Sequence, residues 1–315
     1  MTTQYLSTTE GTIPFTYPSL PPTKLCSTWY RIVGDLKSGI RPLVTLHGGP
    51  GASHAYLKPL FDALSTNTGR PIVYYDQIGT GKSTHFREKR LDTSFWTIPL
   101  FMAELDNLVS HLGIAGDFDL YGHSWGAMLA LPYAVWSERK AVGLNKLILA
   151  SGPATMALFE KAGRELLGRL PEEVQRTIEK YEKSKDYENE EYKEAIGVYY
   201  KAYLCQLEEW PKELDEAMAW LERDDTVYFT MNGPSELTVV GSLKTYNTIE
   251  EAKRVKVPTL LINGENDEVQ DECVEPWFRS IPKVKWVRLD RGTHMVHLEQ
   301  PEKYAALVSG FLDDA

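Results

Sequence analysis

Short apolar runs alternate with longer amphipathic stretches through the first half of the chain. The apolar runs, each ending in a glycine-rich or polar turn, cover residues 42–46, 71–75, 118–121 and 146–150. Apolar residues recur at helical spacing over residues 96–112 and 127–136. Strands that alternate with helices form parallel sheets with both faces covered, so the pattern predicts an α/β fold with a mostly parallel central sheet.

The alternation stops at about residue 154 and resumes at about residue 251. Helical patterns in the intervening segment begin at Pro171 and cover residues 187–207 and 211–223. The strands and the closing helix predicted beyond it cover residues 257–262, 285–289 and 301–312. A helical insert at this position would cover the strand ends, exclude water and shape a pocket. We therefore expect a core of residues 1–153 and 251–315 and a helical cap of residues 154–250.

The first 40 residues predict a β region, which a proline-rich connector from Tyr17 to Pro22 interrupts. Residues 1–6 lack the basic stretch and apolar run of a signal peptide. No apolar stretch approaches the roughly 18 residues needed to span a bilayer. We expect a cytoplasmic protein without a membrane partner.

Charge and cysteine content narrow the possible partners. The chain has 34 lysine and arginine residues against 44 aspartate and glutamate residues, a formal net charge of −10. Such a chain repels phosphate backbones, so we expect no nucleic acid partner. Cys26, Cys205 and Cys273 show neither metal-ligand spacing nor a disulfide framework, which fits a reducing compartment. We expect a protein that uses neither a metal nor a cofactor.

Three loops follow predicted strands, at residues 47–51, 76–83 and 122–126. Ligands of such sheets bind beyond the carboxyl ends of the strands, so the loops should share one rim. The segment from Gly79 to Ser83 superficially resembles a phosphate loop, but Asp76 stands where its first glycine would be. We interpret it as a tight structural turn beside the active site.

The segment Gly122-His123-Ser124-Trp125-Gly126 joins a predicted strand to a predicted helix. The Gly-x-Ser-x-Gly pattern forms a strained turn that exposes the serine, and its glycines let strand and helix approach closely. A serine hydroxyl is a weak nucleophile until a base accepts its proton. The pattern predicts that Ser124 is the nucleophile of a hydrolase.

A glycine-rich loop, His47-Gly48-Gly49-Pro50-Gly51, lies upstream of the serine. Small residues let backbone N–H groups reach a developing oxyanion, and loss of one such donor raises the barrier by ~3 kcal/mol. One donor follows the nucleophile and the other comes from an upstream loop. We predict that the N–H groups of Gly49 and Trp125 form the oxyanion hole.

A base and an acid should follow the serine, the acid first. Of the seven histidines, only His294 and His297 lie beyond the late strands, and His294 comes soon after a predicted strand end. We favour His294 as the base and interpret His297 as a helix-start or packing residue. Asp267 ends the preceding strand and is the favoured acid, with Glu265 and Glu268 as alternatives. The acid would fix the imidazole tautomer and stabilise the imidazolium.

The ordered motifs resemble those of the proline iminopeptidase family of α/β hydrolases. They extend over nearly the whole chain from about residue 40, and they are His47–Gly51, Tyr75-Asp76-Gln77-x-Gly79-x-Gly81-x-Ser83, Gly122-x-Ser124-Trp125-Gly126, Gly264-Glu265-x-Asp267 and Thr293-His294-Met295. The resemblance implies the α/β-hydrolase fold with an inserted helical cap. The chain departs from the family at two positions. Where Ile78 stands, the family often has Arg or an aromatic residue, and where His123 stands, it often has Gly. We expect the His123 side chain to pack below the turn of residues 122–126, here called the elbow.

The predicted cap resembles the tricorn-interacting aminopeptidase branch, which includes amino-acid amidases. The segments that carry this resemblance are Tyr187-Glu188-Asn189-x-Glu191-Tyr192, Glu209-Trp210-Pro211 and Met231-Asn232-Gly233-Pro234-Ser235-Glu236. The resemblance implies that Glu236 and Glu268 bind the free α-amino group of the substrate. Two carboxylates would offset the cost of taking an ammonium group out of water.

These features together predict a serine hydrolase that removes N-terminal residues from short peptides or cleaves amino-acid amides. One alternative is the same fold acting on an ester, a lactone or a secondary-metabolite amide, with no need for a free amine. An epoxide or halide hydrolase would need a carboxylate where Ser124 stands. A non-catalytic binding module is the remaining alternative.

Overall fold

The structure, a computed structural model, describes residues 7–21, 24–136 and 142–314. Residues 1–6, on which the signal-peptide prediction rests, lie outside the described residues, as does Pro22 of the predicted connector.

Eight strands form one sheet in the described residues. The strands are β1 Thr8–Pro14, β2 Ser27–Val33, β3 Leu43–Leu46, β4 Ile72–Asp76, β5 Phe118–His123, β6 Leu144–Ala150, β7 Thr259–Gly264 and β8 Val284–Leu289. Their order across the sheet is β1-β2-β4-β3-β5-β6-β7-β8. The pairs β1–β2 and β2–β4 are antiparallel, and every later pair is parallel. The predicted α/β architecture with a mostly parallel sheet is confirmed.

Helices cover both faces of this sheet. The α-helices of the described residues, including those of the segment between β6 and β7, are α1 Lys58–Thr68, α2 Ile98–His111, α3 Trp125–Val135, α4 Met156–Leu167, α5 Glu172–Ser184, α6 Glu190–Tyr203, α7 Lys212–Arg223, α8 Thr226–Met231, α9 Ile249–Ala252, α10 Asp271–Ser280, α11 Val296–Glu299 and α12 Pro301–Asp313. Sequence patterns missed α1 and α10, and they placed the boundaries of other helices a few residues away from those observed. The helix predicted over residues 187–207 is shorter at both ends, and it begins at Glu190 because the side chain of Asn189 caps α6 by accepting from the N–H of Glu191.

Two hydrophobic cores lie on opposite faces of the sheet. Successive side chains of a strand point to opposite sides. On β6, Leu147 and Leu149 pack with α2, α3 and α10, whereas Ile148 and Ala150 pack with α1 and α12. Because both faces are covered, the central strands are largely apolar, with few polar exceptions such as the buried Asp119 of β5, and this is why their sequences are apolar runs rather than alternating patterns.

The helices α4 to α9 lie between β6 and β7 in the chain, where the sequence predicted a helical insert. Leu166 of α4, Ile178 of α5 and Tyr199 of α6 share a small hydrophobic core of their own. The helix α7 packs on a 3-10 turn at His54–Leu57, which follows β3. The division into a core and a separate cap with these boundaries stays a prediction.

The start of α3 lies very close to β3. A Cβ atom on Gly126 would lie 2.3 Å from the carbonyl oxygen of Leu46. Real Cβ atoms do not approach a backbone atom so closely, so the backbone would have to shift to accommodate any side chain. The second glycine of the elbow is therefore needed to bring the helix N-terminus to the end of the sheet.

We expect Gly126→Ala to lower the free energy of unfolding by about 1–3 kcal/mol, the usual cost of overpacking a tight site. Gly310→Ala is the matched control, because a Cβ on this glycine of α12 meets no atom within 4 Å. That change should stabilise the protein by about 0.5–1 kcal/mol through the lower backbone entropy of the unfolded chain. Denaturant unfolding of both variants checks the pair, and equal effects would contradict the packing argument.

Candidate active site

Ser124 lies at the junction of β5 and α3 with a backbone φ of 57° and ψ of −123°. A positive φ is unfavourable for a residue with a side chain and persists only where the surroundings enforce it. The N–H of Ser124 donates to the carbonyl oxygen of Ala150 at 2.8 Å, and its own carbonyl accepts from Ala127 at 2.9 Å. A Cβ on Gly122 would lie 2.2 Å from the carbonyl oxygen of Gly126, so the turn needs glycine on both sides.

The structure brings Asp267 and His294 together below the cavity. Asp267 follows β7, and its Oδ1 lies 2.8 Å from Nδ1 of His294. Both side chains are buried. Oδ1 also accepts from the N–H of Val269 at 2.8 Å, which fixes the carboxylate in place. This geometry directs the other imidazole nitrogen, Nε2, away from Asp267.

The two alternative acids have other positions. Glu265 accepts from the N–H of Arg291 at 3.0 Å and faces the side chain of Arg288. Glu268 is buried on the cavity wall, with its Oε1 3.7 Å from Nε2 of His294. Only Asp267 among the three contacts Nδ1.

Main-chain hydrogen bonds join the loop of His294 to the helical insert. The N–H of His294 donates to the carbonyl of Tyr203 at 3.0 Å, and that of Met295 donates to the carbonyl of Leu204 at 2.8 Å. The hydroxyl of Thr293 also donates to Leu204, at 2.9 Å. The end of α6 therefore holds the loop that carries His294.

The glycine-rich loop after β3 packs against the elbow. A Cβ on Gly48 would lie 3.1 Å from Cβ of Ser124, and Gly49 has a φ of 112°. Gly49 and Ser124 line the same cavity. Trp125 is the first residue of α3, where N–H groups have no partner within the helix. Its indole turns aside and donates to Oε1 of Gln77 at 2.8 Å.

His123 and Tyr56 link the glycine-rich loop to the loop of His294. The hydroxyl of Tyr56 accepts from the N–H of Gly48 at 2.8 Å and lies 2.9 Å from Nδ1 of His123. Nε2 of His123 lies 3.0 Å from the carbonyl oxygen of His294. These contacts fit a neutral imidazole that accepts at Nδ1 and donates at Nε2. Burial, reinforced by His294 and His297, lowers the pKa of His123 well below its usual value.

Sequence reasoning expected a packed side chain at His123 and did not identify Tyr56. His123 is buried below the elbow and also makes the hydrogen bonds described above. His297 is buried in α11 with its ring centroid 4.9 Å from that of His123, and it is absent from the cavity wall. Nothing in the spacing around Tyr56 marked it, because its partners are distant in sequence.

A cavity of about 1000 Å³ extends from Ser124 to the surface. Ser124, His294, Glu236 and Glu268 all line it. Its apolar wall comes mainly from the helical insert and includes Ile196, Leu204, Leu214, Met218, Leu221 and Phe229. Charged side chains also line it, among them Arg90, Lys185, Glu188 and Asp225.

The cavity holds two carboxylates close to the imidazole. Tyr228 donates to Oε1 of Glu236 at 2.7 Å. Oε2 of Glu268 is buried and has no hydrogen-bond partner among the described residues. Burial raises the pKa of both carboxyls, and for Glu268 the neighbouring charges of Glu236 and Asp267 raise it further. An unpartnered buried carboxylate in a cavity is a ready acceptor for a cationic group.

The same carboxylates act on His294. Burial disfavours its charged form, but Asp267, Glu268 and Glu236 outweigh burial and raise the pKa of His294 to about 9.

Among the described residues, no cluster of three or more His, Cys, Asp or Glu side chains suits a metal ion. In the same part of the chain, no helix has the length and apolar character needed to cross a membrane.

Comparisons with known proteins place the chain among hydrolases. It matches the model of the alpha/beta hydrolase family over residues 43–307. It is 34% identical over 284 residues to the proline iminopeptidase of Saccharolobus solfataricus, covering 90% of this chain and 87% of that protein.

Two solved structures are similar over nearly the whole chain. The structure of VinJ has a TM-score of 0.90 at 39% identity, covering 97% of this chain and 98% of VinJ. The proline iminopeptidase of Mycobacterium smegmatis has a TM-score of 0.84 at 33% identity, covering 96% of this chain and 97% of that chain.

We expect Tyr56→Phe to lower the free energy of unfolding by about 1–3 kcal/mol, because the N–H of Gly48 and Nδ1 of His123 would lose a buried partner. Tyr75→Phe is the matched control, since the buried Tyr75 hydroxyl has no hydrogen-bond partner among the described residues. Removal of the Tyr75 hydroxyl should leave the free energy of unfolding unchanged or raise it slightly. Denaturant unfolding measures both variants, and a neutral Tyr56→Phe would show that the link is not energetically significant.

Proposed function

This chain belongs to the proline iminopeptidase family of α/β hydrolases, and on that premise we propose that it is a serine hydrolase specific for substrates with a free α-amino group. It would remove the N-terminal residue from short peptides or hydrolyse amino-acid amides. The observation that carries the proposal is the pair Glu236 and Glu268 on the wall of the cavity that Ser124 and His294 also line.

In the proposed reaction, Oγ of Ser124 attacks the substrate carbonyl carbon while Nε2 of His294 accepts the hydroxyl proton. His294 then gives this proton to the departing amine, and an acyl-enzyme remains on Ser124. Asp267 holds Nδ1–H of His294 and stabilises the imidazolium, which its 2.8 Å contact supports. A water molecule then attacks the acyl group with His294 as the base.

The N–H groups of Gly49 and Trp125 would hold the oxyanion that forms on the substrate carbonyl. The close approach of Gly48 to Ser124, where a Cβ on Gly48 would lie 3.1 Å from Cβ of Ser124, supports this assignment. Backbone donors fixed by glycine turns need no reorganisation as charge develops, which makes them effective in a buried site.

Glu236 and Glu268 would bind the ammonium group of the substrate. An ammonium in a closed cavity loses its hydration and needs carboxylate partners to offset that loss. Anchoring the amine near Ser124 would limit cleavage to the first bond of the chain. Residues 154–250 would act as the cap in this proposal, because α6, α7 and α8 supply much of the wall.

Aminoacyl and N-acetyl-aminoacyl para-nitroanilides of the same residue test the need for a free amine. Acetylation removes the charge and its hydrogen bonds to two carboxylates. We expect kcat/KM to fall by ~100-fold or more, since each hydrogen bond to a charged group contributes about 1.5–3 kcal/mol. Equal rates would refute this requirement and favour a hydrolase of esters, lactones or other amides.

Labelling by a fluorophosphonate tests the nucleophile. We expect Ser124→Ala to abolish labelling and to lower kcat by ~10⁴-fold or more, as in other serine hydrolases that lose the nucleophile. Ser235→Ala is the control, because Ser235 lines the same cavity while its hydroxyl accepts from Tyr192 at 3.0 Å. Unlabelled wild-type protein, or equal labelling of Ser124→Ala, would contradict the assignment.

A further inference from the structure

The nitrogen of His294 that must accept the serine proton has a carboxylate beside it. Nε2 lies 3.7 Å from Oε1 of Glu268, and both side chains are buried. A base whose accepting nitrogen faces a carboxylate tends to hold a proton there. The ligand-free site is therefore arranged to keep His294 protonated, which is the wrong state for a general base.

Three carboxyl groups surround one imidazole in this site. Asp267 contacts Nδ1, Glu268 faces Nε2, and Glu236 lies on the same cavity wall. Like charges in a buried site cannot all be ionised without compensation. Burial raises the pKa of Glu236 and Glu268, and the charges of Glu236 and Asp267 raise that of Glu268 further, whereas the three carboxylates raise the pKa of His294 against the effect of burial. At neutral pH the site therefore retains a proton that His294 and the two glutamates share.

The remaining titratable groups around His294 contribute no compensating charge. His123 at the end of β5 and His297 in α11 have lowered pKa values through burial, to about 3 for His297, and stay neutral. Burial raises the pKa of the surrounding tyrosines, which are Tyr199, Tyr200 and Tyr203 of α6 and Tyr228 of α8. The charge state thus depends on His294 and its three carboxylates.

We propose that the substrate's own ammonium group activates the base. When the ammonium binds between Glu236 and Glu268, it displaces the proton that these groups share with His294, and Nε2 is left free to accept the proton of Ser124. One positive charge enters on the ammonium and one leaves as a proton to water, so the net charge of the site is unchanged. This inference rests on the proposed function and assigns Glu268 a second role in it.

Selectivity would then act on the chemical step as well as on binding. A substrate that fills the cavity without an ammonium group meets a protonated His294 and reacts slowly even when bound. Glu268 would thus be a positioning residue, because it would act on the reaction through the protonation state of His294. A simple anchor would change KM and leave the protonation of His294 unaffected.

The first test follows His294 directly by NMR titration of its imidazole in wild-type protein. The probe is L-alaninol, which carries the ammonium but has no bond to hydrolyse, and the control is propylene glycol, which has a hydroxyl in its place. Saturating L-alaninol should lower the apparent pKa of His294 by about one to three units, the usual effect of a nearby charge. Propylene glycol should leave it unchanged.

Two outcomes of this titration overturn the inference in distinguishable ways. If L-alaninol binds and competes with aminoacyl substrates but His294 titrates as in the free protein, the activation is wrong and the proposed function stands. If L-alaninol fails to bind, and acetylated substrates react as fast as free-amine ones, the proposed function fails as well.

A variant separates activation from anchoring. Glu268→Gln should slow hydrolysis of an alanyl para-nitrophenyl ester, yet speed that of the propionyl ester by about tenfold at pH 7, since His294 would lose one of the charges that hold its proton. Glu265→Gln is the matched control, because Glu265 belongs to the same loop but contacts Arg291 and Arg288.

The acid limb of the pH–rate profile for the propionyl ester gives the deciding comparison. It should move to lower pH in Glu268→Gln and stay in place in Glu265→Gln. An unmoved limb, with only the alanyl ester affected, would reduce Glu268 to an anchor and overturn the proposal. The titration of wild-type protein decides the matter if Glu268→Gln does not fold.

Discussion

The hydrogen bond between Asp267 and Nδ1 of His294 is the contact on which the site depends. It is 2.8 Å long and buried, and it determines which nitrogen of the imidazole faces the cavity. The strained turn at Ser124, the cavity and the glutamates are useful to a hydrolase only if Nε2 has this orientation. The surrounding structure maintains the contact through Val269, which donates to the same carboxylate oxygen.

Much of the fold and the residues of the candidate site could be predicted because their signals are local. A parallel strand buried on both faces is largely apolar, and a strand-to-helix turn with a positive φ at Ser124 needs glycine at positions 122 and 126. The order of serine, acid and histidine then pointed to Asp267 and His294. Each of these inferences uses a few neighbouring residues or the sequence of strands along the chain.

The remaining features depend on contacts between distant segments. Tyr56 joins Gly48 to His123, and Glu268 faces Nε2 of His294, but no periodicity or spacing encodes either contact. The sequence analysis also made no prediction for α10. This helix contains Pro276, which disfavours a helix interior, and its apolar residues pack into the core on that face of the sheet.

The attachment of the histidine loop to the end of α6 bears on how such proteins diverge. Its two main-chain bonds, from His294 to Tyr203 and from Met295 to Leu204, place no demand on the identity of those side chains. Mutations in the insert can therefore reshape the cavity wall while the backbone continues to hold His294. A chimera that exchanges inserts between relatives would have to preserve the path of the backbone at residues 203–204 rather than its sequence.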